Sequence, residues 1–225
     1  MAQTLKFGNK VWAAKEGAVL AYNDENSNYK PLPFDFTRAS SATRVNKSGL
    51  IETMRTGVAR IDYTDSADGV LLLENSSTNL ITYSEDFSQW TAVNNVVVTD
   101  NFTTSPDGSL NGAKLVFDGT ASGRIEIQAG VGGTTTQSVY LKTESGTQNV
   151  SIGSSSTNLT EFTITDQWVR YTHAGSGTYP RILCSDSATI YVWGCQYESG
   201  DTASSYIPTQ GSASTRAAET ASGSG

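Results

Sequence analysis

Cysteine, histidine, proline and long apolar runs are all scarce in this sequence, and each shortage closes a class of function. Two cysteines in 225 residues cannot make the dense disulfide framework of a small secreted domain. The single histidine, His173, leaves a Ser-His-Asp triad only one possible base. It lies in the strand-like run Trp168-Val169-Arg170-Tyr171-Thr172-His173-Ala174 and reads as an ordinary surface strand histidine. There is no Gly-x-Ser-x-Gly elbow and no His/Cys cluster with zinc spacing. No apolar run is long enough for a transmembrane helix, and the N-terminus shows no basic stretch leading into an apolar one, so synthesis in a cytoplasm is expected. Charged residues make up only 16% and helix-forming blocks are missing, which excludes a coiled coil or helical bundle. Lysine and arginine are scattered and the net charge is -7, so a nucleic-acid binder is not expected.

What is present is β chemistry. Roughly a quarter of the chain is Ser or Thr, with 21 Gly, and β-branched and turn residues dominate. Residues 1–74 hold short strand-like runs, Ala18–Tyr22, Phe34–Thr37, Gly49–Glu52 and Arg60–Tyr63, separated by turn-rich breaks such as Asn23–Asn28. These runs are too short to close a core alone and are expected to lie against another domain or subunit. Val70–Leu73 is continuously apolar, as in a strand covered on both sides. Residues 75–208 carry regularly spaced strands: Asn95–Thr99, Ala113–Phe117, Arg124–Gln128, Thr136–Lys142, Asn149–Gly153, Glu161–Ile164, Gln167–Ala174, Arg181–Cys184 and Thr189–Tyr197. Two antiparallel sheets stacked face to face is the economical arrangement. Residues 209–225 carry no apolar side chain larger than alanine and read as a flexible tail or linker to a further domain. The whole is an all-β chain: an irregular N-terminal β segment, then an antiparallel β-sandwich.

Chemistry-bearing residues are few. Cys184 and Cys195 invite a disulfide, but a hairpin joining their strands through Ser185–Ser187 would set Cys184 opposite Ala188, far from Cys195. Two free, mostly buried thiols are expected. Glu74, Glu85, Asp86, Glu126, Glu144, Glu161 and Glu198 have the residue type of glycosidase carboxylates, but no spacing selects a pair. Gly130-Val131-Gly132-Gly133 lacks the setting of a phosphate loop and reads as a turn.

A connected series of motifs carries a resemblance. It runs Phe36-Thr37-Arg38-Ala39-Ser40-Ser41-Ala42-Thr43-Arg44, Gly49-Leu50-Ile51-Glu52, Arg60-Ile61-Asp62-Tyr63 and Val70–Leu80, and ends in Trp193–Gly200 and Ala203–Thr209. From about residue 34 to 219 this is similar to bacteriophage head-fibre, spike and tail-fibre proteins whose middle resembles a carbohydrate-binding jelly roll. The resemblance implies a jelly-roll sandwich, a homotrimer, attachment to other virion proteins of the capsid or tail, display on the virion surface, and contact with a host-surface glycan. It gives Arg38, Arg44, Arg60 and Asp62 an assembly role. Similar proteins often continue past Thr215-Arg216-Ala217 into another β domain. Structural calcium is a further implication, with Glu85, Asp86 and Glu198 near the segments that would supply ligands, although no calcium-loop signature is present; no other cofactor is implied.

Sugar sites on such sandwiches stack pyranose rings on aromatic faces. Trp90, Tyr140, Trp168, Tyr171, Tyr179, Tyr191 and Trp193 are the available rings, with Tyr140, Tyr191 and Trp193 the carbohydrate candidates. Strict parity sets Tyr191, Trp193, Cys195 and Tyr197 on one face and Ile190 and Val192 on the other. A face holding Cys195 and Tyr197 reads as core, and so does Trp168, which leaves Tyr140 the best exposed. The expectation is a non-enzymatic virion adhesin; a free carbohydrate-binding module and a polysaccharide depolymerase are the alternatives.

Overall fold

The computed structural model describes residues 12–23, 28–31, 35–130 and 132–222. The middle of the Asn23–Asn28 break, Phe34, Val131 and the last three residues lie outside the described residues. The chain divides into two compact units, the smaller comprising Met1–Ser77, Ser204–Tyr206 and Thr215–Gly225. In it β1 (Trp12–Lys15), β2 (Ala18–Asn23) and β3 (Asn28–Pro31) make a three-stranded antiparallel sheet. After β4 (Asp35–Thr37), β5 (Ala42–Val45) pairs with β6 (Ile51–Met54), and β7 (Arg60–Asp62) pairs with β8 (Val70–Leu72). These short runs hold a small core of their own, Val19, Phe36, Ala59, Ile61 and Leu71. Only Leu71 of β8 is buried, with Val70 and Leu72 half-buried, so that strand is covered on one face and not on both. Three residues suffice for one cross-strand ladder, and alternation then aims the middle side chain inward.

The larger unit comprises Thr78–Ala203 and Ile207–Ser214. The chain enters it along β9 (Ser77–Asn79) and a single 3-10 turn at Phe87–Gln89. Ten strands follow: β10 (Thr91–Val93), β11 (Val97–Thr103), β12 (Gly112–Asp118), β13 (Gly123–Glu126), β14 (Thr134–Thr143), β15 (Gln148–Gly153), β16 (Leu159–Ile164), β17 (Val169–Ser176), β18 (Arg181–Cys184) and β19 (Ser187–Ser199). They form two five-stranded sheets, ordered β10-β13-β18-β15-β16 and β11-β12-β19-β14-β17, with every neighbouring pair antiparallel. Without β10 and β11, the orders β13-β18-β15-β16 and β12-β19-β14-β17 are those of a jelly roll, the two added strands extending its edges. Inward residues, Leu115, Phe117, Ile125, Val139, Leu141, Val150, Ile152, Ile182, Ile190 and Val192 among them, form one core closed by Phe87 and Trp90.

This topology corrects the expected β18–β19 hairpin. The Ser185–Ser187 link carries the chain from one sheet to the other, since β18 pairs with β13 and β15 while β19 pairs with β12 and β14. Cys184 and Cys195 are nevertheless both free and buried. The reason is not register along one ladder: the two thiols belong to different sheets. Burial pushes the Cys195 thiol up to about 12, and burial likewise raises that of Cys184.

The C-terminal segment is no loose tail. β20 (Ser214–Arg216) is followed by β21 (Thr220–Ser222), which pairs antiparallel with β4. What ties it down is charge rather than apolar area. The Glu219 carboxylate accepts from Arg38 Nη1 at 2.8 Å and from Arg60 Nε at 2.7 Å and also from Arg60 Nη2, with both partners' side chains wholly buried. Arg60 donates further to Glu74 at 2.7 Å, Thr43 O at 2.7 Å and Ser205 Oγ at 2.6 Å. Arg216 Nη1 pairs with Glu74 at 3.1 Å. Burial alone would raise the Glu74 carboxyl, but Arg60 and Arg216 outweigh it and hold it below the usual carboxylate range. The assembly candidates therefore act inside this unit. Arg38 and Arg60 sit in the buried network, Asp62 accepts the backbone N–H groups of Val45 and Thr64, and Arg44 pairs with Glu52 at 2.6 Å.

Candidate functional site

The outer face of the β11-β12-β19-β14-β17 sheet gathers five aromatic and three cationic side chains, and a single irregularity in β19 sets which way two of the rings face. β14 and β19 pair in step from Thr143↔Ile190 to Tyr140↔Trp193, then resume at Ser138↔Gln196, so β19 carries one extra residue. Gly194 sits in that step with φ 62°, the left-handed conformation that glycine adopts at a β-bulge without steric cost. The bulge reverses parity. Ile190 and Val192 face the core before it, and Cys195 and Tyr197 face the same core after it. Tyr191 and Trp193 therefore lie on the opposite, outer side, and strict alternation through Cys195 and Tyr197 is overturned.

Register then builds the face row by row. Lys114 of β12 lies opposite Tyr191 of β19, which lies opposite Lys142 of β14. In the next row Trp193 stands opposite Tyr140, and Tyr140 opposite Arg170 of β17. The rings interlock with the cations. Phe102 stacks on Tyr191 with centroids 5.9 Å apart, and Tyr140 tilts against Trp193 at 5.5 Å. Lys114 Nζ lies 3.8 Å above the Phe102 ring, Lys142 Nζ lies 5.2 Å from Trp168 and 5.4 Å from Tyr191, and Arg170 lies 5.7 Å from Tyr140. Such placements hold an ammonium against the negative face of a ring. The Tyr191 hydroxyl donates to Glu144 at 3.4 Å; burial and that carboxylate push its ionisation above the usual range, so it remains a phenol.

Trp168 reaches across this face from its place just before β17. Its Nε1 donates to Thr104 O at 3.0 Å, and its ring lies 3.4 Å from where a Cβ on Gly112 of β12 would stand. The tighter neighbours of that Cβ are Thr103 Cγ2 at 2.9 Å and Thr103 O at 3.0 Å, so the glycine serves the close approach of β11 to β12. Trp193 is thus on the outer face yet only 1% exposed, and Tyr191 7%. The accessible rings are Phe102, which is 45% exposed, and the half-buried Tyr140 and Trp168. Of the three carbohydrate candidates, Tyr140 is an accessible ring, while Tyr191 and Trp193 form the bed beneath.

Phe102 was missed in the sequence. The ladder between β11 and β12 slips between Thr99 and Thr103, and Asn101 has φ 53°, which turns the following phenylalanine outward. An asparagine before an aromatic near a strand end was the one available signal. Trp168, expected in the core, is instead part of the outer layer. The other rings lie elsewhere: Trp90 is in the core, Tyr171 packs at its margin against Phe162 at 5.1 Å, and Tyr179 is exposed outside the cluster.

The proposed calcium ligands are not brought together. Asp86 accepts from Ser88 Oγ at 2.6 Å, Glu85 from Asn111 Nδ2 at 3.0 Å, and the buried Glu198 from Gln196 Nε2 at 2.6 Å. Among the described residues no three His, Cys, Asp or Glu side chains cluster as metal ligands. His173 is also not on the surface. It is 5% exposed, with Nδ1 2.8 Å from Thr160 Oγ1 and Nε2 buried without a hydrogen-bond partner. Burial lowers its basicity. Its strand turns that residue toward the other sheet, since β17 lies at the edge and the neighbouring Tyr171 packs inward as well.

No family model matches the chain, and no curated protein matches it. Among solved structures, the carbohydrate-binding and catalytic modules of Clostridium thermocellum endo-1,4-β-D-xylanase 10B complexed with xylohexaose align over 60% of this chain and 30% of that one, at 15% identity and TM-score 0.39. The module BiXyn10A CBM1 aligns over 56% of this chain and 95% of its own, at 13% identity and TM-score 0.31. The exo-β-1,3-galactanase of Phanerochaete chrysosporium with β-1,3-galactotriose aligns over 81% and 41%, at 11% identity and TM-score 0.35. The chain spans less than half of the xylanase and galactanase chains.

Proposed function

We propose that the larger unit is a carbohydrate-binding jelly roll, and that sugars lie on the outer face of the β11-β12-β19-β14-β17 sheet. One observation carries this reading: Phe102, Trp168 and Tyr140 present accessible rings on a face backed by buried Tyr191 and Trp193. Pyranose rings stack on such surfaces, and the ordered bed below means little side-chain entropy is lost on binding. The test is a glycan array followed by calorimetry on the full chain. Tyr140→Ala, Phe102→Ala and Trp168→Ala should each weaken binding about tenfold, the equivalent of about 1.4 kcal/mol, with circular dichroism unchanged. Unaltered affinity in all three would remove the face from consideration. The role proposed is binding without turnover; reducing-sugar release from a surface polysaccharide would overturn that part.

The motif series supports a second, wider reading, in which the chain is a phage fibre or spike subunit, a homotrimer displayed on a virion. Of the motif residues, Arg38 and Arg60 lie in the smaller unit's buried network, Asp62 accepts the backbone N–H groups of Val45 and Thr64, and Arg44 makes a partly exposed pair with Glu52. Light scattering on the purified chain and labelling of phage particles with an antibody to it test this reading. A monomer at micromolar concentration together with unlabelled particles would refute it.

A further inference from the structure

We propose that the ligand of this face is an anionic polysaccharide, one whose pyranose units carry carboxylate or sulfate groups. The inference rests on the glycan-binding reading above and adds the ligand's charge. The protein as a whole is acidic, with 22 Asp and Glu against 15 Lys and Arg, so a patch of its surface chosen at random carries negative charge. This face does the opposite. Lys114, Lys142 and Arg170 stand among its rings, and Glu144 faces the Tyr191 hydroxyl.

The two lysines are held by rings rather than by carboxylates. Among the described residues neither takes part in a salt bridge, in contrast to Arg44, Arg60, Arg124 and Arg181, each of which does. An ammonium resting on an aromatic face keeps donors free for a ligand anion while its position is fixed. Arg170, beside the Tyr140 ring and donating from Nη2 to Ser138 Oγ at 2.8 Å, adds positive charge to the same face. Lys114 and Lys142 flank Tyr191 across β19, two strand spacings or about 10 Å apart. A sugar chain lying across the strands would meet a ring and a cation alternately. A neutral glycan needs the rings only; the two interleaved lysines, outside every salt bridge among the described residues, are what select a charged one.

The experiment uses the full chain in affinity electrophoresis and calorimetry. Its probes are polygalacturonate for carboxylate, dextran sulfate for sulfate, dextran and xylan as neutral polymers, and an oligothymidylate. The expected result is binding to polygalacturonate, dextran sulfate or both in preference to the neutral polymers, which also shows which anion is accepted. That binding should fall at least about tenfold as salt rises from about 0.05 to 0.3 M, because exposed charges are then screened. Lys114→Gln/Lys142→Gln should lose the acidic polymer by about tenfold or more and retain its circular dichroism. Equal, salt-insensitive binding of neutral and acidic polymers would overturn the inference and leave the glycan reading standing. Binding of no polysaccharide would overturn both. Preference for the oligothymidylate, for which aromatic rings and cations are also suited, would overturn it in favour of a nucleic-acid strand.

Discussion

Replacing Glu219 with alanine is the sharpest test of how the smaller unit is held together. The carboxylate is wholly buried and takes four hydrogen bonds: from Arg38 Nη1, from Arg60 Nε and Nη2, and from the Glu74 backbone N–H at 3.1 Å. Without it Arg60 still faces Glu74 at 2.7 Å. Arg38 keeps only carbonyl oxygens, those of Ser40, Val58, Met54 and Arg55. A buried guanidinium would then lack its counter-charge, and breaking a buried pair from one side costs about 3–5 kcal/mol. Small domains have total stabilities of about 5–15 kcal/mol, and among the described residues this unit's apolar cluster holds five buried side chains. Glu219→Ala should therefore leave it marginal or unfolded.

The assay is urea denaturation followed by amide hydrogen exchange, reading Ile61 and Leu71 for the smaller unit and Val139 and Ile152 for the sandwich. For m near 1–3 kcal/mol/M, the midpoint of the first pair should fall by about 1 M or more, with exchange at Ile61 approaching that of an open strand. Glu219→Gln should sit close to alanine, since its amide keeps one acceptor oxygen but turns an N–H₂ toward guanidinium donors. A loss below about 1 kcal/mol, the range of exposed ion pairs, would refute the reasoning and return residues 215–222 to the status of a tail.

Deleting residues 215–225 should reproduce the Glu219→Ala phenotype in the same exchange experiment, because β21 and Glu219 leave together; unchanged protection of Ile61 would count against the network. Burial lowers the pKa of His173 below the ordinary 6.5 in the folded state, so the unfolded chain takes up its proton first. The sandwich's stability should hold above pH 6.5, decline as pH falls through and below that value, and lose this slope in His173→Gln. Gly194→Val should cost at least about 1–2 kcal/mol, the penalty of a left-handed residue with a Cβ, and should alter tryptophan fluorescence by shifting Trp193. Both thiols should resist an aromatic disulfide reagent at pH 8 in the native protein and react in full once denatured, since Cys195 ionises only near 12 and the thiolate is the reacting form.

Composition and alternation carried most of the sandwich. All nine strands read from residues 95–197 exist within a few residues of their expected ends, because the central ones alternate buried and outward side chains and the edge ones are bounded by turn residues. Three-residue strands such as β9 and β10 sit below what periodicity resolves, and their pairing is set by tertiary neighbours. The C-terminal segment defeated the reading for a different reason. Apolar content is a sound test of burial when burial is driven by hydrophobic area, but Arg216 and Glu219 are buried because charges from residues 38, 60 and 74 meet them there. Nothing in the local stretch Thr215–Glu219 announces partners more than 140 positions away. A buried ion network is written in pairs of distant residues, and one sequence shows only the members.

The site was half legible for a related reason. Residue type picked out Tyr140, Tyr191 and Trp193, and these do share one face with Lys142 and Arg170. Period-two counting then misassigned that face, since one inserted residue inverts every later position. The inversion had a visible marker: Gly194 lies between Trp193 and Cys195, in the middle of an otherwise dense strand, where a glycine marks a bulge or a close approach more often than filler. Counting across it as a bulge sends Cys195 and Tyr197 into the core with Ile190 and Val192 and frees Trp193 for the outer side. Gly112 is the second such marker, since a Cβ there would crowd Thr103 Cγ2 at 2.9 Å and Thr103 O at 3.0 Å. Two glycines inside strands thus do different work on one surface. Gly194 inverts the parity of β19 so that Tyr191 and Trp193 face outward while Cys195 and Tyr197 face the core, and Gly112 lets β11 close on β12 at Thr103, next to Phe102.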